Sequence, residues 1–276
     1  MFKIPARDRI WEINSPQVMG ILNATSDSFF ADSRVLEIDL ALERVSQMVQ
    51  EGVDIIDIGG QSTRPGAPLL SEQEELNNVL PIIESIHVNY PGILLSVDTF
   101  HSKVALESLK AGVHLVNDIS GGHFDANMYK IVADQNAGYI GMHMTGNAQN
   151  MHQIPADRTS IIPELISYFR QKQKELTNMG IKDWIIDPGF GFGKSIHDNF
   201  TLVKELAALQ ILEAPILLGV SRKSSIYKTL SIDASEALNG TTVVNTIGLF
   251  NGASILRVHD VKEAKQIIQL LPYLSN

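Results

Sequence analysis

WIIDPGFGFGKS, residues 184–195, runs from an apolar, β-branched stretch into an acid, a proline, three alternating glycines and a lysine. An apolar run that ends in an acid and a glycine turn reads as a buried strand whose polar end opens into a loop. Spacing excludes two phosphate-binding signatures. A P-loop needs a glycine where Pro188 stands, five places before the GK pair, and proline has no N–H to offer an oxygen. The dinucleotide fingerprint is GxGxxG, whereas Gly189, Gly191 and Gly193 read GxGxG.

Working outward, the same apolar pattern recurs in VMGIL (18–22), VDIIDI (53–58), ILLSV (93–97), VHLVN (113–117), YIGM (139–142), ILLGV (216–220) and SILRV (254–258). With WIIDP these make eight runs, each followed by a longer amphipathic stretch. Near-continuous apolar strands alternating with helices predict a buried parallel sheet, and eight is the number that closes a (β/α)8 TIM barrel. The helices carry start signals: Ser71 and Glu74 form a capping box before one, and DVKEAKQIIQLL opens on Asp260. No linker or low-complexity tract divides residues 1–276, so one α/β domain is expected. RIWEI (9–13) reads as a short N-terminal extension covering the barrel floor, and the long loops NATSDSFFADSR and GGQSTRPGAP suit mobile covers over a site.

The composition narrows the function. A formal charge of -9 argues against nucleic acid, whose phosphates need a concentrated basic face. There is no cysteine, which removes disulfides, cysteine-ligated zinc and a thiol nucleophile. No signal peptide and no 18-residue apolar run is present, so no membrane partner and a cytoplasmic location are expected.

In such barrels the chemistry sits where the strands end. The polar residues there are Asn23, Asp57, Asp98, Asn117 with Asp118, His143, Asp187, Ser221 with Lys223, and Arg257 with His259. Helix capping would account for any one acid or amide, but lysine and arginine do not cap helix N-termini. Cations and anions around one mouth point to a polar ligand that carries negative charge. Asp98, Asp187 and Asn117 could receive a flat, donor-rich heterocycle, with Lys223 balancing a carboxylate or donating to a ring carbonyl. Arg257, His259 and Asn23 could hold phosphate oxygens, Asn23 through Mg²⁺, which is content with few protein oxygens. Phe192 is expected beside the ligand and Phe190 in the core, while Lys194 reads as a solvated loop lysine. His87, His114, His123 and His197 read as surface or helix-cap residues, and His143 is balanced between lining the site and a structural role. Met142, Met144 and Met151 fit either an apolar shelf or core filler.

The series MGILNATSDSF, DIGGQSTRPGA, SVDTF, VNDISGG, MHMTGNAQNM, IIDPGFGFGK, GVSRKS and GASILRVHDV resembles the dihydropteroate synthase family from residue 18 to about 262. The resemblance implies a (β/α)8 barrel joining 6-hydroxymethyl-7,8-dihydropterin pyrophosphate to 4-aminobenzoate, with Mg²⁺ as cofactor, a homodimeric state and sulfonamides as inhibitors. By motif, Asp98, Asn117, Met142, Asp187, Phe192 and Lys223 correspond to the pterin-binding groups. Asn23, Thr63, Arg257 and His259 correspond to those meeting pyrophosphate, with Asn23 also the metal contact. Thr63, Arg64 and Pro65 of the STRPGA loop, with Ser62 before them, and Ser224 correspond to those near the aminobenzoate. Asp98, Lys223 and Asn23 are the residues expected to carry the chemistry.

Three positions depart from the family pattern: Ser26 replaces a proline, Ala31 falls where an acid is common, and Gln61 stands where glutamate is usual. They leave Asp27 and Asp32 as alternative loop acids. Three rivals share parts of this pattern. A pterin-dependent methyltransferase would not need the STRPG loop, a Schiff-base aldolase would use Lys223 as nucleophile, and a non-catalytic paralogue would bind pterin without turnover.

Overall fold

The computed structural model describes residues 1–24, 31–61, 69–145 and 161–274, with residues 31–35 described as backbone alone. The chain begins with an antiparallel hairpin of β1 (Phe2–Ala6) and β2 (Arg9–Ile13), turned at Arg7 in the left-handed region. Strands β3 (Gln17–Asn23), β4 (Ile55–Gly59), β5 (Leu94–Asp98), β6 (Leu115–Asp118), β7 (Gly138–Met142), β8 (Ile185–Asp187), β9 (Leu217–Leu218) and β10 (Ile255–Val258) follow. They form one parallel eight-stranded sheet ordered β8-β7-β6-β5-β4-β3-β10-β9. A parallel bridge between Ile186 and Ile216 joins its two edges, so the sheet curls into the expected barrel. Each of the eight apolar runs overlaps a barrel strand.

The helices α1 (Ala31–Gln50), α2 (Glu72–Asn89), α3 (Ser102–Lys110), α4 (Met128–Asp134), α5 (Ile161–Asn178), α6 (Ile196–Lys204), α7 (Ser224–Leu230), α8 (Leu238–Phe250) and α9 (Val261–Leu274) cover the outside. The capping box forms as its residues predict: Ser71 Oγ accepts from the Glu74 amide at 3.3 Å, and the Glu74 carboxylate accepts from the Ser71 amide at 2.8 Å. A 3-10 turn occupies Ala234–Glu236 before α8 begins at Leu238.

Alternation along the strands sorts their side chains into two environments. Val18, Ile56, Ile58, Leu95, Val97, Val116, Tyr139, Ile186, Leu218 and Leu256 face out and pack against the helices. Met19, Ile55, Leu115, Ile140, Ile185, Leu217 and Ile255 form an inner layer, joined by Ile4, Ala6, Trp11 and Ile13 of the hairpin. The N-terminal extension thus closes the barrel floor, as RIWEI suggests, with FKIPA as its strand partner. Among the described residues, no helix is long and apolar enough to cross a membrane.

Candidate active site

Two residues past the floor layer, β4, β6, β8 and β10 carry Asp57, Asn117, Asp187 and Arg257, and four residues past it β3 and β5 end in Asn23 and Asp98. Asn23 pairs with Gly59, Gly59 with Asp98, and Asp98 with Asn117, so these positions lie in one row across four strands. Met142 and Asp187 are paired likewise on β7 and β8.

Arg257, on β10, is the hub of this layer. Its Nε donates to Asp57 Oδ2 at 2.6 Å and an Nη donates to Asp98 Oδ2 at 2.5 Å, while Asn117 Nδ2 donates to the same Asp57 oxygen at 2.9 Å. Asp57 is fully buried and, among the described residues, its Oδ1 has no partner. Burial lifts the Asp98 carboxyl to about 7 against the pull of Arg257, and the neighbouring Asp57, Asp118 and Asp187 carboxylates push the same way. The pressure on Arg257 is opposite: Asp57 and Asp98 outweigh its burial and hold it firmly cationic.

Asp187 and Lys223 make a second opposite-charge pair. Burial raises the Asp187 pKa, opposed first by Lys223 and then by the Gly189 amide, which donates to Oδ1 at 2.7 Å. Burial lowers Lys223 to about 8, with Asp187 as the main opposing influence. Its Nζ donates to the Phe190 carbonyl at 2.5 Å and lies 4.6 Å from the centre of the Phe192 ring. Beside these charges sits an apolar shelf of Phe100, Ile119, Met142, Met144 and Phe192, edged by Phe124. The methionines at 142 and 144 therefore face the mouth. Phe190 is fully buried among the outer core residues, as expected, while Phe192 lies in the shelf.

The glycines of that loop all take positive φ, and a Cβ on Gly189 would lie 1.9 Å from the His143 carbonyl oxygen. Lys194 is not the solvated lysine its surroundings in the sequence suggest. The loop wraps around it, and its Nζ donates to the Gly189 carbonyl at 2.8 Å and the Phe192 carbonyl at 3.1 Å. His143 Nδ1 stands 3.1 Å from the same ammonium, and His143 Nε2 stands 3.2 Å from Glu164. Because an ammonium only donates, Nδ1 accepts, which leaves the proton on Nε2 toward Glu164. His114 also departs from expectation. It is buried rather than superficial, and Nδ1 accepts from the Leu95 amide at 3.1 Å.

Asn23 is exposed at the end of β3. His259 is partly buried, and burial followed by the Arg257 charge lowers it to about 4, so it is a neutral imidazole at physiological pH. Ser224 begins α7, immediately after Lys223. Asp118 turns away from the mouth: its carboxylate accepts from Ser120, Gly122 and Tyr139. Thr63, Arg64 and Pro65, with Ser62, Ser26, Asp27 and Met151, lie outside the described residues, as do the side chains of Ala31 and Asp32. Gln61 is described: its Oε1 accepts from the Leu70 amide at 2.7 Å across the base of the second loop. The sequence reading underrated Asp57, the common anchor of Arg257 and Asn117.

The arrangement offers two buried carboxylates, an amide and an ammonium to a flat polar ligand, an apolar shelf for its face, and an arginine and a neutral histidine for an anion. Comparison with known proteins agrees. A model of the family described as pterin binding enzyme matches residues 19–259. The chain is 39% identical to a folate synthesis bifunctional protein of Arabidopsis thaliana over 94% of its own length, and spans 57% of that longer relative. It superposes on the crystal structure of the Yersinia pestis dihydropteroate synthase with a sulfonamide drug at a TM-score of 0.91 and 36% identity, covering 99% of both chains. The Xanthomonas albilineans dihydropteroate synthase solved with 4-aminobenzoic acid gives 0.89 and 32%, covering 99% of this chain and 97% of that one.

Proposed function

The chain belongs to the pterin-binding enzyme family, and from that premise we propose that it is a dihydropteroate synthase of folate biosynthesis. It joins 6-hydroxymethyl-7,8-dihydropterin pyrophosphate to 4-aminobenzoate and releases pyrophosphate. The observation that carries this reading is the buried Asp57–Arg257–Asp98 bridge beside the Asp187–Lys223 pair, under a shelf containing Met142 and Phe192.

In this reading Asp98 and Asp187 accept the paired N–H groups of the aminopyrimidine edge, Asn117 completes that edge, and Lys223 donates to the ring carbonyl. Met142 and Phe192 pack against the ring. Arg257 already holds two carboxylates through Nε and one Nη, which leaves its other Nη for a phosphate oxygen. Neutral His259 and Asn23 add donors there. Withdrawal of pyrophosphate leaves positive charge on the pterin methylene, shared with the ring, and the two aspartates stabilise it. The aryl amine then attacks in line, and since it is weakly basic no strong general base is required. Thr63, Arg64, Pro65 and Ser224 are assigned to the aminobenzoate side, with Thr63 also toward pyrophosphate.

Mg²⁺ is part of the proposal. Among the described residues there is no group of three or more His, Asp or Glu able to hold a metal. An exposed amide oxygen on Asn23 fits a cation that arrives with the substrate and takes its remaining ligands from phosphate and water. Bound there, Mg²⁺ would neutralise charge on the departing pyrophosphate. A cytoplasmic homodimer completes the reading; Val243, Ile247 and Phe250 recur at helical spacing on α8 and are all exposed, which supports packing through that helix.

The test is dihydropteroate formation and pyrophosphate release by the purified protein with Mg²⁺ and the pterin pyrophosphate, with and without 4-aminobenzoate. Product requiring both substrates supports the synthase. Pterin binding with no product would instead identify a non-catalytic paralogue.

A further inference from the structure

Lys223 and the pair Arg257 and His259 sit on different connections, one after β9 and the other at the end of β10. Two cross-links tie these connections together. Ser221 Oγ accepts from the His259 amide at 3.2 Å. Next to it, Arg222 grips Asp260 with both prongs of its guanidinium: Nε to Oδ2 at 2.9 Å and Nη2 to Oδ1 at 2.8 Å. Nη1 donates to the Ser235 carbonyl at 2.7 Å and the Ala234 carbonyl at 3.3 Å, and the Arg222 amide donates to Thr241 Oγ1 at 3.0 Å. Four of the five guanidinium N–H groups are thereby spent inside the protein, which leaves little for a ligand.

The backbone at this residue is also unusual. Lys223 N donates to the Val220 carbonyl at 3.1 Å, closing a β-turn with Arg222 at its third position and φ of 52°. Glycine or asparagine is the ordinary occupant of such a position. An arginine persists in this conformation only where its surroundings over-determine it, and here the bonds to Asp260, Ser235 and Thr241 do so. The turn they hold delivers Lys223 in extended backbone at the start of α7, with its side chain aimed at the Phe190 carbonyl.

We infer that Arg222 is a positioning residue for the reaction: by clamping the β9–α7 turn to Asp260 it fixes the spacing between Lys223 on one side of the ligand and Arg257 and His259 on the other. The inference rests on the synthase reading of the site. A clamp of this kind matters most to a ligand that spans both connections, and the pterin pyrophosphate does so, while 6-hydroxymethyl-7,8-dihydropterin reaches the pterin groups alone.

The experiment compares Asp260→Asn, which weakens the clamp without changing a residue of the turn, with Arg222→Lys, which keeps the charge and loses the fork. Steady-state kinetics with the pterin pyrophosphate are set beside direct binding of the hydroxymethyl pterin. Both variants are expected to lower kcat/KM by about 100-fold, the scale of a misplacement of roughly 1 Å, while hydroxymethyl-pterin affinity changes little. The exchange of Arg222→Asp with Asp260→Arg in one chain is expected to recover part of the loss, since aspartate tolerates the left-handed region. Unchanged kinetics in both single variants overturn the inference, and so do equal losses for the two ligands or a loss explained by unfolding. Absence of product from the unaltered protein overturns the synthase reading instead.

Discussion

The floor and the mouth of this barrel are built from the same strands, two to four residues apart, and obey opposite rules. At the floor, Met19, Ile55, Leu115, Ile140, Ile185, Leu217 and Ile255 meet Trp11 and Ile4 of the hairpin in an apolar layer. Toward the mouth, the same strands hold Asp57, Asn117, Asp187 and Arg257 two residues on and Asp98 four residues on. Buried ion pairs seldom repay their desolvation. The contrast therefore separates the end that stabilises the barrel from the end that is costly to keep and is retained for chemistry.

Substitutions at each end should break different properties. Trp11→Ala is expected to remove about 4 kcal/mol of stability by opening the floor, with kcat unchanged; denaturant unfolding alongside turnover would measure both, and a matching loss of kcat would erase the distinction. Asp98→Asn should do the reverse. A fall of about 10²- to 10³-fold in kcat is expected from loss of charge where positive charge develops, with pyrophosphate affinity in calorimetry little altered.

The mouth also sets the pH response of activity. Asp98 must be ionised to accept N–H groups, so kcat/KM should rise with pH toward about 7. Lys223 must stay protonated, so it should fall again above about 8. Lys223→Met should abolish the alkaline limb, and a limb that survives would assign it elsewhere.

The smallest effect belongs to the floor side. His114 is held neutral with its pKa lowered to about 4 by burial and by nearby Arg9. The unfolded chain binds a proton near the ordinary value of 6.5, so between those limits acid favours unfolding and stability declines as pH falls. His114→Asn, which keeps an acceptor for the Leu95 amide, should flatten that part of a urea-midpoint profile. An unchanged slope would place the acid sensitivity in other groups.

Much of this division was legible in the sequence, because a parallel strand covered on both faces must be apolar along its length and ends visibly where polar residues begin. Strand limits were less legible: ILLGV supplies only Leu217–Leu218, and VDIIDI starts pairing at Ile55. FKIPA was missed since Pro5 is unusual in a strand, and only the edge position of a two-stranded hairpin accommodates it. At the site, Asp98, Asn117, Asp187, Lys223 and Arg257 were identifiable from their places at strand ends. The anchoring role of Asp57 was not, as its bond to Arg257 joins positions 200 apart in the chain. Lys194 was misjudged for a related reason. A lysine beside glycines looks solvated until the left-handed turns at Gly189, Gly191 and Gly193 bring carbonyls back over its ammonium.

The hairpin that seals the floor also bears on how the molecule assembles. It precedes the barrel in the chain, yet its partners run from Met19 to Ile255, so it emerges from the ribosome well before the surface it packs on exists. Its strands can pair with each other at once, but Trp11 must wait until the last strand has been made. An element that precedes the barrel in the chain thus completes its packing only once the last strand is available, and docking of Trp11, followed by its fluorescence, would report completion of the barrel floor.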